Sequence, residues 1–290
     1  MKRLLVAIAA LFLILACGAN SRTTTQPSVE TIVAGTIQAF TASAPPPDGA
    51  RVSFENISFE IPEGLAEEAG SEIIARSPAG DDVPTWDVYP EHIRFTLLQS
   101  DLFPSQFEPM IRIFPAQEYA SMNDSAQQLI PMLEQKLASG DYAGAIVLPP
   151  YNAALTLDAQ AGKLDFVSGS GIRSIQEYHQ APVPITNDFL IYSFQGVIGD
   201  TKYYVSAVIP IHAPFLIDET YNPAPYSTTP TPVVPPGGFA FPLTTSDNPQ
   251  DYSTYIQSIS AKLSQLPTDQ FSPSLAQLDT LVQSIQIISE

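Results

Sequence analysis

The stretch FLIYSFQGVIGDTKYYVSAVIPIH, residues 189–212, restricts the fold more than any other part of the chain. In its second arm Tyr203, Val205, Ala207, Ile209 and Ile211 recur at every second position, which is the period of a strand with one face against a core. Gly199-Asp200 separates this arm from an equally β-rich one, and such a dipeptide between apolar arms marks a hairpin. The fold must therefore contain an antiparallel sheet with a buried face.

Shorter runs extend that sheet. In RVSFENISFEIPEG, Val52, Phe54, Ile57, Phe59 and Ile61 alternate with polar residues around a Glu55-Asn56 turn. EIIAR at 72–76, HIRFTLL at 92–98, MIRIFP at 110–115, KLDFVS and GIRSIQEYH read as further strands. In HIRFTLL, Ile93, Phe95 and Leu97 share one face while His92, Arg94 and Thr96 share the other.

Helical spacing appears between and after these strands. QEYASM and SAQQLIPMLEQKLASG are expected to be helices, the second capped by Ser125, with Leu129, Met132, Leu133 and Leu137 as its apolar face. Pro131 is expected to delay its start and Gly140 to close it. SDNPQDYSTYIQSISAKLSQL presents Tyr252, Tyr255, Ile256, Ile259 and Leu263 on one face. SPSLAQLDTLVQSIQII turns Leu275, Leu278, Leu281, Val282 and Ile285 inward. Residues 213–249 carry so many prolines that they read as an extended, solvent-washed loop. The fold class that follows is α+β, a mainly antiparallel sheet covered by helices, preceded by an N-terminal signal and a stalk helix.

That N-terminus begins with Lys2-Arg3 and an apolar run from Leu4 to Ala16. The layout is that of a signal peptide, and the run is shorter than the about 20 residues that cross a bilayer core. It stops at Cys17, the single cysteine of the chain. Ile14, Ala16, Cys17 and Gly18 resemble the cleavage site of bacterial lipoprotein signal peptides. That resemblance implies export, thioether diacylglycerol modification of Cys17, and cleavage before it, so that acyl chains such as palmitate hold the protein on a membrane. With its one cysteine acylated, the fold is held by its core alone.

Three segments follow: 1–16 as signal peptide, 17–50 as a lipid-anchored flexible stalk, and 51–290 as one globular α+β domain containing the Pro-rich loop 213–249. In the stalk, GANSRTTTQP is a spacer, and Val29, Ile32, Val33, Ile37 and Phe40 stand at helical spacing between a Ser28 cap and Pro45-Pro46-Pro47. Within the domain, ISFEIPEGL at 57–65 and LAQLDTLVQSIQI at 275–287 resemble, in apolar spacing, the first strand and closing helix-strand of the PsbP/Mog1-like fold. That resemblance implies a binding or assembly-factor scaffold and carries no catalytic residues with it.

The charge balance narrows the partners. Lys and Arg number 12 against 30 Asp and Glu, a net charge of -18, which repels nucleic acids, so none is expected as a partner. Patterns such as GxSxG, SxxK, HExxH and GxxxxGK[ST] do not occur, and SGSG at 168–171 lacks the strand-to-helix setting of a phosphate loop. His92, His179 and His212 show no metal-ligand spacing, so neither a metal nor a cofactor is expected.

Candidate binding residues remain. Trp86, in DDVPTWDVYPEH, sits in a Pro-bounded loop and is a candidate exposed contact, the alternative being a buried plug. Arg173, Glu177 and His179 fall on one face of a strand, as a mixed-charge row. Tyr151, Tyr178, Tyr192, Tyr204, Tyr221 and Tyr226 are suited to lining a groove for glycan or peptide, the alternative being places in the core or on the sheet surface.

The reading is a non-catalytic, lipid-anchored extracytoplasmic binding domain whose partners are the membrane, through Cys17, and an envelope protein, peptide or glycan. The alternatives are an envelope hydrolase using a carboxylate/His pair, and a structural envelope component that self-associates through the stalk. A hollow holding a carboxylate and a His within hydrogen-bond reach favours the hydrolase; a flat polar surface favours binding.

Overall fold

In the structure, a computed structural model, residues 49–103, 107–198, 202–218, 233–242 and 249–288 are described. The expected signal peptide, Cys17 and the expected stalk helix lie outside the described residues, as do the expected Gly199-Asp200 turn and most of the Pro-rich stretch. The architecture is α+β, with ten strands and four helices among the described residues.

Alternation in the first run is realised directly. Strands β1 (Ala50–Phe54) and β2 (Ile57–Ile61) pair antiparallel across a two-residue turn, and Glu55 takes a left-handed φ of 52° there. Ile57, Phe59 and Ile61 are buried. Strands β3 (Glu68–Ile74), β4 (His92–Leu98) and β5 (Met110–Pro115) follow. Then come the long β6 (Ala154–Phe166) and β7 (Gly169–His179), the arms β8 (Ile191–Ile198) and β9 (Tyr203–Pro210), and β10 (Gln286–Ile287). One sheet runs β1-β2-β10 and the other β3-β4-β5-β9-β8-β7-β6, with antiparallel pairing throughout.

Period-two alternation gives the large sheet two different faces. On one, Phe95, Ile111, Ile175, Phe194, Val205 and Ile209 join the main core with the small sheet and the two C-terminal helices, α3 (Pro249–Gln265) and α4 (Leu275–Gln283). On the other, Phe114, Ile172, Val197 and Tyr204 pack against α1 (Ala116–Met122) and α2 (Asp124–Ser139). The residues of α4 expected inward, Leu275, Leu278, Leu281 and Val282, are buried along with Ile285 beyond its end. A capping box of Ser274 and Gln277 starts that helix.

Three local expectations change. Helix α2 begins at Asp124, with Asn123 rather than Ser125 as its cap, because Asn123 accepts from the Ala126 amide at 3.0 Å. Pro131 lies inside the helix and does not delay its start, while Gly140 closes it at a φ of 78°. Its buried face is Ala126, Ile130 and Leu133, and Met132 stands 45% exposed. The Pro-rich stretch is not solvent-washed at its ends: Phe215, Leu216 and Phe241 enter the core, and Lys262 of α3 lies 4.3 Å from the centre of the Phe215 ring.

Candidate functional site

At the end of the large sheet where β7 stops and β8 starts, three connections meet over a hollow of 410 Å³. Phe107 precedes β5, Tyr151 precedes β6, and Phe189 precedes β8; Tyr178 and His179 come from the last residues of β7. Their rings touch one another. Phe107 meets Tyr151 edge-on at 6.0 Å and Phe189 at 5.9 Å, Tyr151 tilts over Tyr178 at 4.7 Å, and His179 meets Phe189 at 5.2 Å. These are ordinary aromatic contact distances, and the rings form a wall suited to apolar or ring-bearing ligands. Asn152 and Gln180 add polar edges.

His179 is held from behind. Its Nε2 lies 2.6 Å from Glu177 Oε1, and both side chains are nearly closed to solvent, at 8% and 0% exposure. The two residues share a face because they stand two apart on one strand. Burial pushes the Glu177 carboxyl up to about 7, against the lowering influence of His179 and of the Thr186 amide. Its second oxygen, Oε2, has no hydrogen-bond partner among the described residues.

Arg173 does not join them. Four residues from Glu177 along an extended strand is about 13 Å, and the guanidinium is taken up elsewhere. It donates to Gln160 O at 3.0 Å and lies 3.6 Å from Asp279 Oδ1, which also accepts from Tyr192 Oη at 2.9 Å. This cluster ties α4 to the sheet and to the β6 irregularity near Gln160. Arg173 thus leaves the mixed-charge row as a binding candidate and becomes a structural anchor.

Trp86 is half-buried, between the exposed contact and the buried plug that the sequence allowed. Its short 3₁₀ turn, Thr85–Asp87, is pinned to the start of α2 because Asn123 Nδ2 donates to Thr85 O at 2.7 Å and to Val88 O at 2.9 Å. Trp86 forms part of a second hollow of 250 Å³, which shares Tyr151 with the first. The histidines do not converge: His92 stacks on Phe114 at 4.2 Å, and the His212 backbone pairs with Ser272. Among the described residues no group of three or more His, Cys, Asp or Glu could hold a metal.

Phe107 went unnoticed in the sequence because it lies in a connection outside any periodic run, where neighbouring prolines and polar residues mark only a loop. Phe189 reads in the sequence as the first residue of the hairpin arm, whereas β8 begins at Ile191 and leaves Phe189 in the connection before it. No family model, curated protein or solved structure matches the chain.

Proposed function

We propose that this protein is a lipid-anchored, extracytoplasmic binding domain that takes an apolar or aromatic group, from a peptide or glycan, into the pocket at the β7–β8 end of its sheet. The observation that carries this reading is the wall of Phe107, Tyr151, Tyr178 and Phe189 around a hollow of 410 Å³. Rings in that number offer a large contact area at low conformational cost. The basic leader, the apolar run and the following Cys17 support the anchor.

The second reading, an envelope hydrolase, is favoured by the Glu177–His179 pair, of which His179 lines the hollow while Glu177 lies wholly buried behind it. In it, His179 would take a proton from water, with Glu177 orienting the ring. The pocket residues include no Ser, Thr, Cys or Lys among the described residues, so an activated water is the nucleophile that chemistry requires.

The test is titration of the full chain with N-phenyl-1-naphthylamine, a neutral aromatic probe that brightens on leaving water, beside the variant Ala153→Trp. Ala153 is a half-buried pocket residue, and an indole there fills the hollow while leaving the wall rings in place. A saturable component in the wild type that disappears in the variant is expected. Identical curves for both proteins refute the pocket as a binding site.

A further inference from the structure

Strands β3, β4, β5 and β9 set Glu72, Arg94, Arg112 and Ser206 directly opposite one another in a single row across the sheet. Glu72 answers Arg94, accepting from its Nε at 2.9 Å and its Nη2 at 2.6 Å. Among the described residues no carboxylate pairs with Arg112. Its one side-chain hydrogen bond among the described residues is from Nη2 to Met110 Sδ at 3.3 Å, and it forms no ion pair there. Like charges directly opposite on neighbouring strands destabilise a sheet, and a half-buried guanidinium with only a thioether acceptor has lost hydration without replacement.

The surroundings share this deficit. Tyr119 Oη and Ser206 Oγ are buried without a hydrogen-bond partner among the described residues; Ser206 is the cross-strand neighbour of Arg112 and Tyr119 lies within its electrostatic reach. Burial holds the Arg112 guanidinium below its ordinary value, and the other charges acting on it are those of Tyr151, Arg94, Tyr119 and Tyr89. His92, pushed down to about 4 by burial with Arg112 and Arg94 adding to the effect, stays neutral beside them. Arg94 and Arg112 open into the second hollow, of 250 Å³, between Trp86, Tyr89 and Tyr151, with the exposed Asp87 also on its edge.

We propose that Arg112, with Arg94 beside it, binds the carboxylate of a small ring-bearing acid, an acidic sugar, whose ring packs against Trp86 and Tyr151. The guanidinium fork matches a carboxylate in two parallel hydrogen bonds. Within the cross-strand row Glu72 already neutralises Arg94 and only Arg112 is unanswered, and the exposed Asp87 on the edge adds negative charge, so the hollow suits a monoanion better than a phosphate dianion. The net charge of -18 disfavours a polyanion, and the hollow has room for a ring rather than a chain. The site stands apart from the aromatic pocket except for the shared Tyr151, so either can fail without the other.

Trp86 is the single tryptophan of the chain, so its emission reports this hollow directly. The full chain is titrated at low salt with glucuronate, glucose and inorganic phosphate. Glucuronate is expected to give a saturable change that weakens with salt, and glucose none. Arg112→Gln should weaken glucuronate by roughly tenfold or more, and Arg112→Lys, which keeps the charge and loses the fork, by a smaller factor. Circular dichroism checks that both variants are folded, and Arg94→Gln, at a more exposed position, gives an independent weakening. An equal response to glucose, no saturation with glucuronate, or an unchanged affinity in folded Arg112→Gln overturns the proposal. Saturable phosphate binding with glucuronate silent overturns the carboxylate assignment.

Discussion

Glu177 is the residue whose chemistry is most distorted by the fold. Its carboxyl rises from an ordinary 4.5 to about 7 because burial penalises the charged form. The charged or titratable groups acting on it are His179 on its own strand and Asp188 in the connection to β8, while it acts in turn on Tyr252 of α3. The stability this contributes is fully present below about 4.5, where folded and unfolded chains both hold the proton. As pH rises to about 7 the unfolded chain releases that proton first, so stability is lost across this window, by roughly 3 kcal/mol if the whole shift is expressed. Glu177→Gln, which cannot ionise, is expected to escape this loss and to gain stability relative to the wild type between pH 5 and pH 8. Urea unfolding at both pH values measures it; parallel pH profiles for the two proteins would show that Glu177 is not held protonated by its burial.

At the scale of elements, Asn123 joins three of them. It caps α2 through Ala126, receives the end of α1, and holds the Trp86 turn through two donations. Loss of a cap costs about 1 kcal/mol, and leaving two carbonyls without their donor adds a comparable amount. Asn123→Ala is therefore expected to lose about 2–3 kcal/mol in urea unfolding, and to change Trp86 emission in the folded state. Asn123→Asp retains the acceptor for Ala126 while losing the donations, so its cost should fall between those of wild type and Ala. A Trp86 spectrum that is identical in Asn123→Ala and wild type would mean that the turn is held by something else. Ser125 was an equally good cap by residue type. Only the contact with Thr85 and Val88, far away in sequence, shows why the cap lies two residues earlier.

At the scale of the molecule, the large sheet separates the main core from the core under α1 and α2, with one hollow at its β7–β8 end and the other beside β4 and β5. No helix among the described residues is long and apolar enough to cross a membrane. The proposed anchoring is through Cys17, and Cys17→Ser is expected to leave an uncleaved, acyl-free precursor that is released or mislocalised. Fractionation with metabolic acyl labelling reads both features; tight membrane retention of the unlabelled variant would refute lipid anchoring.

Sequence alone determined what depends on near neighbours. Strand faces were legible because a period of two is local: Ile93, Phe95 and Leu97 point into the main core while His92 and Arg94 point away. The buried stripe of α4 was legible from its 3.6 period, and the pairing of Glu177 with His179 from their spacing of two. Tertiary structure decided what depends on strand order. Setting β4 beside β5 and β5 beside β9 places Arg94, Arg112 and Ser206 in one row, and the folding of three separate connections onto one sheet end brings Phe107, Tyr151 and Phe189 together. The same packing takes Arg173 to Asp279 and draws Phe215 and Phe241 out of a Pro-rich stretch into the core. Such contacts join residues far apart in the chain, and no local repeat encodes them: side-chain direction is set by the neighbouring backbone, whereas the identity of the partner is set by which surfaces the whole chain can bury together.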